Sequence, residues 1–455
     1  MPVLLMYFIY SLLLGLGFLI LLPRFLLDAL RHGKYVAGFR ERLGSLSPIS
    51  KQGRPVVWVH CVSVGETLAA RPLVHALKKQ FPQTLIAVST ITRTGQNLAR
   101  EVFKHDAAKV FYFPFDWRWV VRRSLKAINP DTVLIMETEL WPGFLRECER
   151  QQIPVALVNG RLSAQSFRRY RLIKGFIARV LQALDLAIMQ TEADAERLRA
   201  LGMVAEKTFV FGNMKFDAGA MPDSDKLTAE FHSRFGLADN SSLILAASTH
   251  APEEKILLDA LKQLRAKEPK PRLMIAPRHP ERFAEVAALI ERSGLSCTRR
   301  TNPADAVDTQ AEVILLDSIG ELPSVYSLAT IVFVGGSIAN TGGHNVLEPA
   351  VAGACVITGA HTYNFHSIVE SFVAAEALIQ LPPLPESEAA GALTDTISQL
   401  FAEPSKCLAM GTRARALVNE NRGATERTLQ ALNSLLASAN ISENVAKFRA
   451  SAPIA

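Results

Sequence analysis

Residues 56–81 read VVWVHCVSVGETLAARPLVHALKKQF, and this stretch decides the architecture. Val56 to Val62 form a valine-rich, almost wholly apolar run, the composition of a strand buried on both faces rather than one with a wet side. LAARPLVHALKKQF then reads as a helix. A buried strand passing directly into a helix is the repeating unit of a parallel α/β sheet.

Working outward, the same alternation recurs. Thr84 to Val88 precedes TGQNLAREVFK, Thr132 to Met136 precedes WPGFLRECERQ, and Val155 to Val158 follows. A second series begins downstream: Leu243 to Ala247 precedes EEKILLDALKQL, and Arg272 to Ala276 precedes ERFAEVAALIERSG. Val313 to Leu316, Ile331 to Val334 and Cys355 to Ile357 complete it. Two doubly wound sheets are therefore expected, as 455 residues exceed what one core usually organises. The small and polar stretch AGAMPDSDK, 218–226, reads as the linker. That places an amino-terminal Rossmann-like domain at 24–217, a carboxyl-terminal one at 227–440 and a tail at 441–455. Open α/β sheets bind ligands beyond the carboxyl ends of their strands, so function is expected in a cleft between two such sheets.

From Pro2 to Pro23 there is no charged side chain, about the roughly 20 apolar residues that cross a bilayer as a helix. Arg24 and Phe25 follow directly, without the small-residue site of a cleaved leader, so residues 1–23 are expected to be a retained membrane anchor. A helix packed on its own domain or lying flat on the membrane has the same composition. Arg24, Arg31, Lys34, Arg40, Arg42, Lys51 and Arg54 outnumber Asp28 and Glu41 just beyond it, which places the rest of the chain on the cytoplasmic side. The net charge of +7 calls for an anionic partner. PFDWRWVVRRSLK, 114–126, and SFRRYRLIKGFIARV, 166–180, mix cations with aromatic and aliphatic residues, which suits an anionic lipid surface. Beside an amino-terminal anchor this reading is preferred to nucleic acid. The five cysteines are odd in number and scattered without zinc-ligand spacing, as expected of reduced cytosolic thiols.

The chemistry-bearing residues cluster just after the strands. Ser63 and Glu66 have the S-x-x-E spacing of a capping box, yet Glu66 also stands at a strand end where it can take a proton from an acceptor hydroxyl. One rotamer cannot serve both roles. Glu137 and Glu139 follow the strand ending at Met136, beside Trp141 and a helix opened by Pro142. Arg278, between Pro277 and His279-Pro280, can grip a phosphate with its planar fork. Gly335, Gly336 and Ser337, then Gly342 to Glu348, form a glycine-rich segment whose amides can approach phosphate, with Glu348 one helical turn beyond His344 and able to accept from ribose hydroxyls. The G-x-G-x-x-G fingerprint is absent.

Together these segments resemble the 3-deoxy-D-manno-octulosonic acid (Kdo) transferases of Gram-negative lipopolysaccharide synthesis. HCVSVGE, METELWP, NGRLS (159–163), GNMKFD (212–217), ASTH (247–250), APRHPERF and GGSIANTGGHNVLEPA stand in that family's order. The resemblance implies a GT-B fold, CMP-Kdo as donor, the lipid A precursor as acceptor on the inner-membrane leaflet, and inversion at the anomeric carbon. It implies Glu66 as general base. Thr249, His250, Arg278, His279, Gly335, Gly336, Ser337, Asn345 and Glu348 are expected on the donor side. Glu139, Lys215 and Arg93 of STITRTG are expected near the transferred sugar and acceptor. No cofactor is expected, and no metal, since no DxD-like pair lies beside a phosphate loop. The rivals are a GT-B transferase or epimerase using a UDP-sugar, and a membrane-tethered nucleotide-sugar-binding protein without catalysis, which would lack the base.

Overall fold

A computed structural model describes residues 3–32, 38–219, 225–237, 242–266, 268 and 270–438. The expected tail and most of the expected linker lie outside these residues. The chain forms two compact units: residues up to Ala218 together with the chain from Asn421, and Gly219–Glu420 between them.

Unit 1 carries a seven-stranded parallel sheet of β1 (Val56–His60), β2 (Leu85–Thr90), β3 (Ala107–Tyr112), β4 (Thr132–Met136), β5 (Val155–Gly160), β6 (Leu186–Met189) and β7 (Thr208–Val210). Its helices are α1 (Val3–His32), α2 (Phe39–Arg42), α3 (Val64–Gln80), α4 (Arg93–Val102), α5 (Arg118–Ile128), α6 (Pro142–Arg150), α7 (Ala164–Arg171), α8 (Lys174–Leu181) and α9 (Glu192–Leu201). The strand order is β3-β2-β1-β4-β5-β6-β7, so the winding reverses between β1 and β4. Every residue of β1 is buried because both faces are covered. Val56 and Trp58 point into one core with Phe111, Phe144 and Leu181, while Val57 and Val59 point into the other with Leu73, Leu77 and Leu432.

Unit 2 repeats the design with β8 (Leu243–Thr249), β9 (Arg272–Pro277), β10 (Cys297–Arg299), β11 (Val313–Leu315), β12 (Ile331–Val334), β13 (Cys355–Thr358) and β14 (Ile379–Gln380). The order β10-β11-β9-β8-β12-β13-β14 puts its switch point between β8 and β12. Its helices are α10 (Asp225–Phe235), α11 (Glu253–Leu264), α12 (Phe283–Ser293), α13 (Leu347–Ala352), α14 (His366–Ala374), α15 (Glu386–Ala402) and α16 (Pro404–Asn421).

The last described helix, α17 (Ala424–Ser438), returns to unit 1, whereas the sequence reading kept residues to 440 in the second domain. It packs on α3, with Leu429, Leu432 and Leu436 in the core beneath β1. Its start is fixed by Asp217, whose carboxylate accepts from Gly423 N at 2.7 Å and Thr425 N at 2.6 Å. These amides have no partner within their own helix, and a carboxylate beside a helix amino terminus is favoured by its dipole.

The expected anchor is not shown: among the described residues no helix is long and apolar enough to cross a membrane. Residues 1–2 lie outside the described residues, and the described side chains of α1 run from Leu5 to Ile20. One side of that stretch packs on unit 1. The rings of Tyr7 and Tyr10 meet Phe176 of α8 at 5.6 and 5.9 Å, Tyr10 Oη donates to Asp116 at 2.8 Å, and Phe18 meets Phe115 and Trp117 at 5.8 and 5.1 Å. Phe8, Leu12, Leu16, Leu19 and Ile20 stay exposed.

Asp217→Ala removes both charge-assisted bonds at the start of α17 and is expected to cost about 1–3 kcal/mol. Asp217→Asn, which keeps an acceptor oxygen, should cost less. Urea unfolding of the two variants tests this, and equal loss in both would refute the capping account.

Candidate active site

In unit 1 the chain leaves β1 at Cys61 and enters α3 through Ser63 and Glu66. The capping box expected there does not form: the Ser63 side chain accepts no cap hydrogen bond. Glu66 Oε2 instead accepts from Val62 N at 2.7 Å, while Ser63 Oγ donates to Oε1 at 3.1 Å. The carboxyl is buried beside other acids. Burial first, then the Glu137 charge, push it up to about 8.

Across the switch point, the end of β4 supplies Glu137 and Glu139. Glu137 adopts the left-handed backbone at φ 54°, a conformation side chains rarely take. Its carboxylate pairs with Lys215 Nζ at 3.2 Å. Burial followed by the Glu137 charge raises Glu139 to about 7. Lys215 lies in a segment pinned from β5, since Met214 N donates to Asn159 Oδ1 at 3.0 Å. Asn159 is left-handed too, at φ 55°. Glu66, Glu137, Glu139 and Lys215 therefore form one acid cluster with a single cation. Arg93, exposed on the first turn of α4, is not paired with it.

His60 lies beneath the cluster. It is fully buried, stacked on Phe113 at 3.9 Å and bonded through Nδ1 to Ser89 Oγ at 2.9 Å. Burial lowers it to about 3, so it is neutral packing rather than a proton carrier.

In unit 2 the residues after β8, β9 and β12 converge. His250 and His344 face each other Nε2 to Nε2 at 2.8 Å with nearly parallel rings, and His279 meets His250 edge-on at 5.1 Å. Burial drives His344 down to about 3, with His250 and Arg278 next among the causes. Burial and His279 lower His250. Both rings are neutral at pH 7, and one Nε2 holds the proton that the other accepts. Arg278 and His279 are exposed beside them. Asn345 Nδ2 donates to Glu348 Oε1 at 3.0 Å, and Tyr326 Oη donates to Oε2 at 3.2 Å. His344 lies in the loop before α13 rather than one helical turn behind Glu348.

The glycine loop differs from the expectation. Its amides do not stand open to a phosphate, because the buried carboxylate of Glu253, on the first turn of α11, already occupies them. Gly336 N donates to Oε2 at 2.8 Å; Ser337, Ile338 and Ala339 N donate to Oε1 at 2.9, 2.9 and 3.2 Å; and His250 N donates to Oε2 at 3.0 Å. Ser337 Oγ donates to Val334 O and accepts from Gly359 N, so this fully buried residue is internally satisfied. Thr249, also fully buried, donates to Glu254, itself paired with Arg282 at 2.6 Å. Gly335 would drive a Cβ into the Ser248 carbonyl at 2.7 Å, and Gly336, at φ 69°, would drive one to 2.8 Å from the His344 ring. These glycines serve close packing. Thr249, Gly335, Gly336 and Ser337 are thus the frame that holds His250, His344, Asn345 and Glu348. The reading from sequence missed Glu253 because a carboxylate in a helix's first turn is common and nothing local ties it to residues 336–339.

A family model described as 3-Deoxy-D-manno-octulosonic-acid transferase (kdotransferase) matches residues 37–218. The chain is 37% identical to the 3-deoxy-D-manno-octulosonic acid transferase of Bordetella pertussis, over 84% of this chain and 87% of that one. It is 34% identical to the enzyme of the same description from Haemophilus influenzae, over 90% of this chain and 93% of that one. Among solved structures, UDP-GlcNAc 2-epimerase from Neisseria meningitidis bound to UDP-GlcNAc aligns with a TM-score of 0.51 at 17% identity, covering 84% of this chain and 100% of that one, a likeness of fold. With similarity of that extent to two such enzymes, the chain belongs to the 3-deoxy-D-manno-octulosonic acid transferase family of glycosyltransferases.

Proposed function

We propose that the protein transfers Kdo from CMP-Kdo to the lipid A precursor with inversion, Glu66 acting as general base. The observation that carries the assignment of the base is its setting: a buried carboxyl beyond β1, at the switch point of a parallel sheet, lifted to about 8 by burial and a second acid. A carboxyl so placed is a stronger base than a surface glutamate. Glu66 takes the proton of the acceptor hydroxyl, whose oxygen bonds to the anomeric carbon on the face opposite the phosphate. The bond from that carbon to the phosphate oxygen breaks, and its electron pair leaves with CMP. Charge thus grows on the phosphate as the proton leaves the acceptor. On the donor side, Arg278 and His279 meet the phosphate, while the accessible groups of Asn345 and Glu348 suit the ribose. Lys215 and Glu139 lie on the acceptor and sugar side.

The same reading places the enzyme on the inner membrane. Its support is the exposed apolar side of α1, together with Trp119, Leu172 and Ile173, all exposed next to the cations of α5 and α7. An amphipathic surface of this kind lies in the headgroup layer. Incubation with CMP-Kdo and tetra-acylated lipid A precursor, followed by mass spectrometry, tests the reaction. No mass gain on the lipid overturns it.

Glu66→Gln keeps an acceptor for Val62 N and a partner for Ser63 Oγ, so it is expected to melt and to bind CMP like wild type while transfer falls on the order of 10² to 10⁴. Transfer within a few-fold of wild type would move the base elsewhere. The pH profile follows from the sign of the shift. A base works deprotonated, and at pH 7 only about one in ten carboxyls with a pKa near 8 is so. Transfer under kcat/KM conditions should rise about tenfold per unit up to roughly pH 8 and level above it. A flat profile from pH 6 to 9 would contradict the assignment. Arg278→Ala should weaken CMP about ten- to a hundredfold by calorimetry, for loss of a charge-assisted phosphate contact.

A further inference from the structure

Unit 1 contains a cavity of about 380 Å³ between α1 and the ends of β2, β3 and β4. Its walls include Leu14, Gly17 and Phe18 of α1, then Ile91, Phe115 and Trp141, and its two charged residues are already bonded within the protein, Arg42 to Ile91 O and Asp116 to Tyr10 Oη and the amides of Gly143 and Phe144. Such a lining offers carbon where a sugar or nucleotide needs hydrogen-bond partners, and it suits a hydrocarbon chain. We propose that this cavity binds one fatty acyl chain of the lipid acceptor, and so sets which acylated acceptors the enzyme takes. The proposal rests on the acceptor being a lipid, as argued above.

Three observations select that occupant. The first is access: Leu13, 61% exposed, lies in the wall next to the exposed side of α1 that carries Leu12 and Leu16, so an apolar surface leads to the cavity. The second is charge. The wall residue Trp117 is the residue before Arg118, and an open depression there is lined by Arg118, Arg122, Arg123, Lys126 and Arg150 against Glu147 alone among its charged residues. Buried Glu147 pairs with Arg118 at 2.9 Å, which leaves most of that cationic charge for an anionic head group. Hydrocarbon binding beside an open cationic depression describes an acidic lipid. The third is connection to the site. Ile91 N donates to Val62 O at 3.2 Å, and Val62 N donates to Glu66 Oε2 at 2.7 Å, so the wall lies two backbone bonds from the base. Trp141 follows Glu139 by two residues. A phospholipid of the bulk membrane would account for the first two observations and not for the third.

The test uses the full-length enzyme and acceptors with one chain of graded length, kept below their micelle concentration. Each buried methylene is worth about 0.8 kcal/mol, which is about fourfold, so KM should fall about fourfold per carbon until the cavity is full. Gly17→Phe fills the cavity, since a Cβ at Gly17 meets nothing within 4 Å. It should raise KM for the long-chain acceptor at least tenfold and flatten the length dependence, with melting and CMP affinity like wild type. An undiminished slope in this variant overturns the proposal. Binding is read without catalysis through tryptophan quenching by a bromine-labelled acyl acceptor in a Trp119→Phe background, where Trp117 and Trp141 face the cavity and Trp58 is sealed in the core. Quenching that Gly17→Phe abolishes supports the cavity even if no Kdo is transferred, which would separate failure of this proposal from failure of the reaction assignment. Absence of quenching, or equal quenching by a bromine-labelled phospholipid, overturns the acceptor chain as occupant. If Gly17→Phe melts early, Leu14→Phe serves as the filling variant.

Discussion

A parallel sheet covered on both faces has nowhere to put polar chemistry except beyond the ends of its strands. In β1 and β12 every side chain is buried, so a carboxylate inside either strand would sit in hydrocarbon at a cost of several kcal/mol, and the one imidazole there, His60 at the end of β1, stays neutral and bonded to Ser89. Winding that reverses between β1 and β4, and again between β8 and β12, sends neighbouring connections to opposite faces and leaves an opening at each reversal. Glu66 and Glu139 occupy the first opening; His250 and His344 occupy the second. The backbone shows what this concentration demands. Glu137, Asn159 and Ser248, at the ends of β4, β5 and β8, are left-handed without being glycine. Such residues persist where their surroundings over-determine them, which is the condition of a site held in one geometry.

The second unit is organised around a built-in carboxylate. A glycine-rich turn after a strand ordinarily collects anions with its amides. Here Glu253 takes that place with five amide donors and ties the ends of β8 and β12 into one piece. Its carboxyl is raised by burial although the amides of Gly336, His250, Ile338 and Ser337 act to lower it. The outward consequence is that side chains, and not these amides, are left to face a ligand. His250, Arg278, His279 and Asn345 stand around a frame that is itself satisfied, an arrangement that suits the proposed donor side because such groups need little reorganisation on binding an anion.

Much of this was legible from composition and spacing. Nine strands were foreseen within a few residues, because central parallel strands are unbroken apolar runs. Those not foreseen have physical reasons. β3, AAKVFY, opens on two alanines and is interrupted by Lys109; β7, β10 and β14 are short edge strands; and β6, LAIM, follows α8 so closely that its residues continue a helical-looking apolar run. The return of α17 was hidden because its partners, α3 and Asp217, lie more than 200 positions away in sequence. At the site, residue types were readable and their partners were not. Ser63-x-x-Glu66 spells a capping box, yet the carboxyl reaches the amide one residue before the cap. The glycine loop spells a phosphate cradle, yet a glutamate more than 80 residues earlier fills it. Spacing reports local possibilities, and tertiary contacts choose among them.

The segment GNMKFD shows such a choice at its most concentrated. Met214 N is held by Asn159 at the end of β5, Lys215 pairs with Glu137 at the end of β4, and Asp217 holds the first amides of α17. Three consecutive demands leave these residues little freedom to move independently. Lys215 is the cation that offsets the charge of Glu137, and Glu137 is the leading charge that raises Glu66 and Glu139. The charge balance felt by Glu66 therefore depends on where Lys215 stands, and Lys215 stands where Asn159 and Asp217 hold its neighbours. With this bracing absent, a lysine free to swing would let the proton affinity of Glu66 drift with every fluctuation of the loop. The last described helix is thus tied, through six residues, to the acid cluster beyond β1.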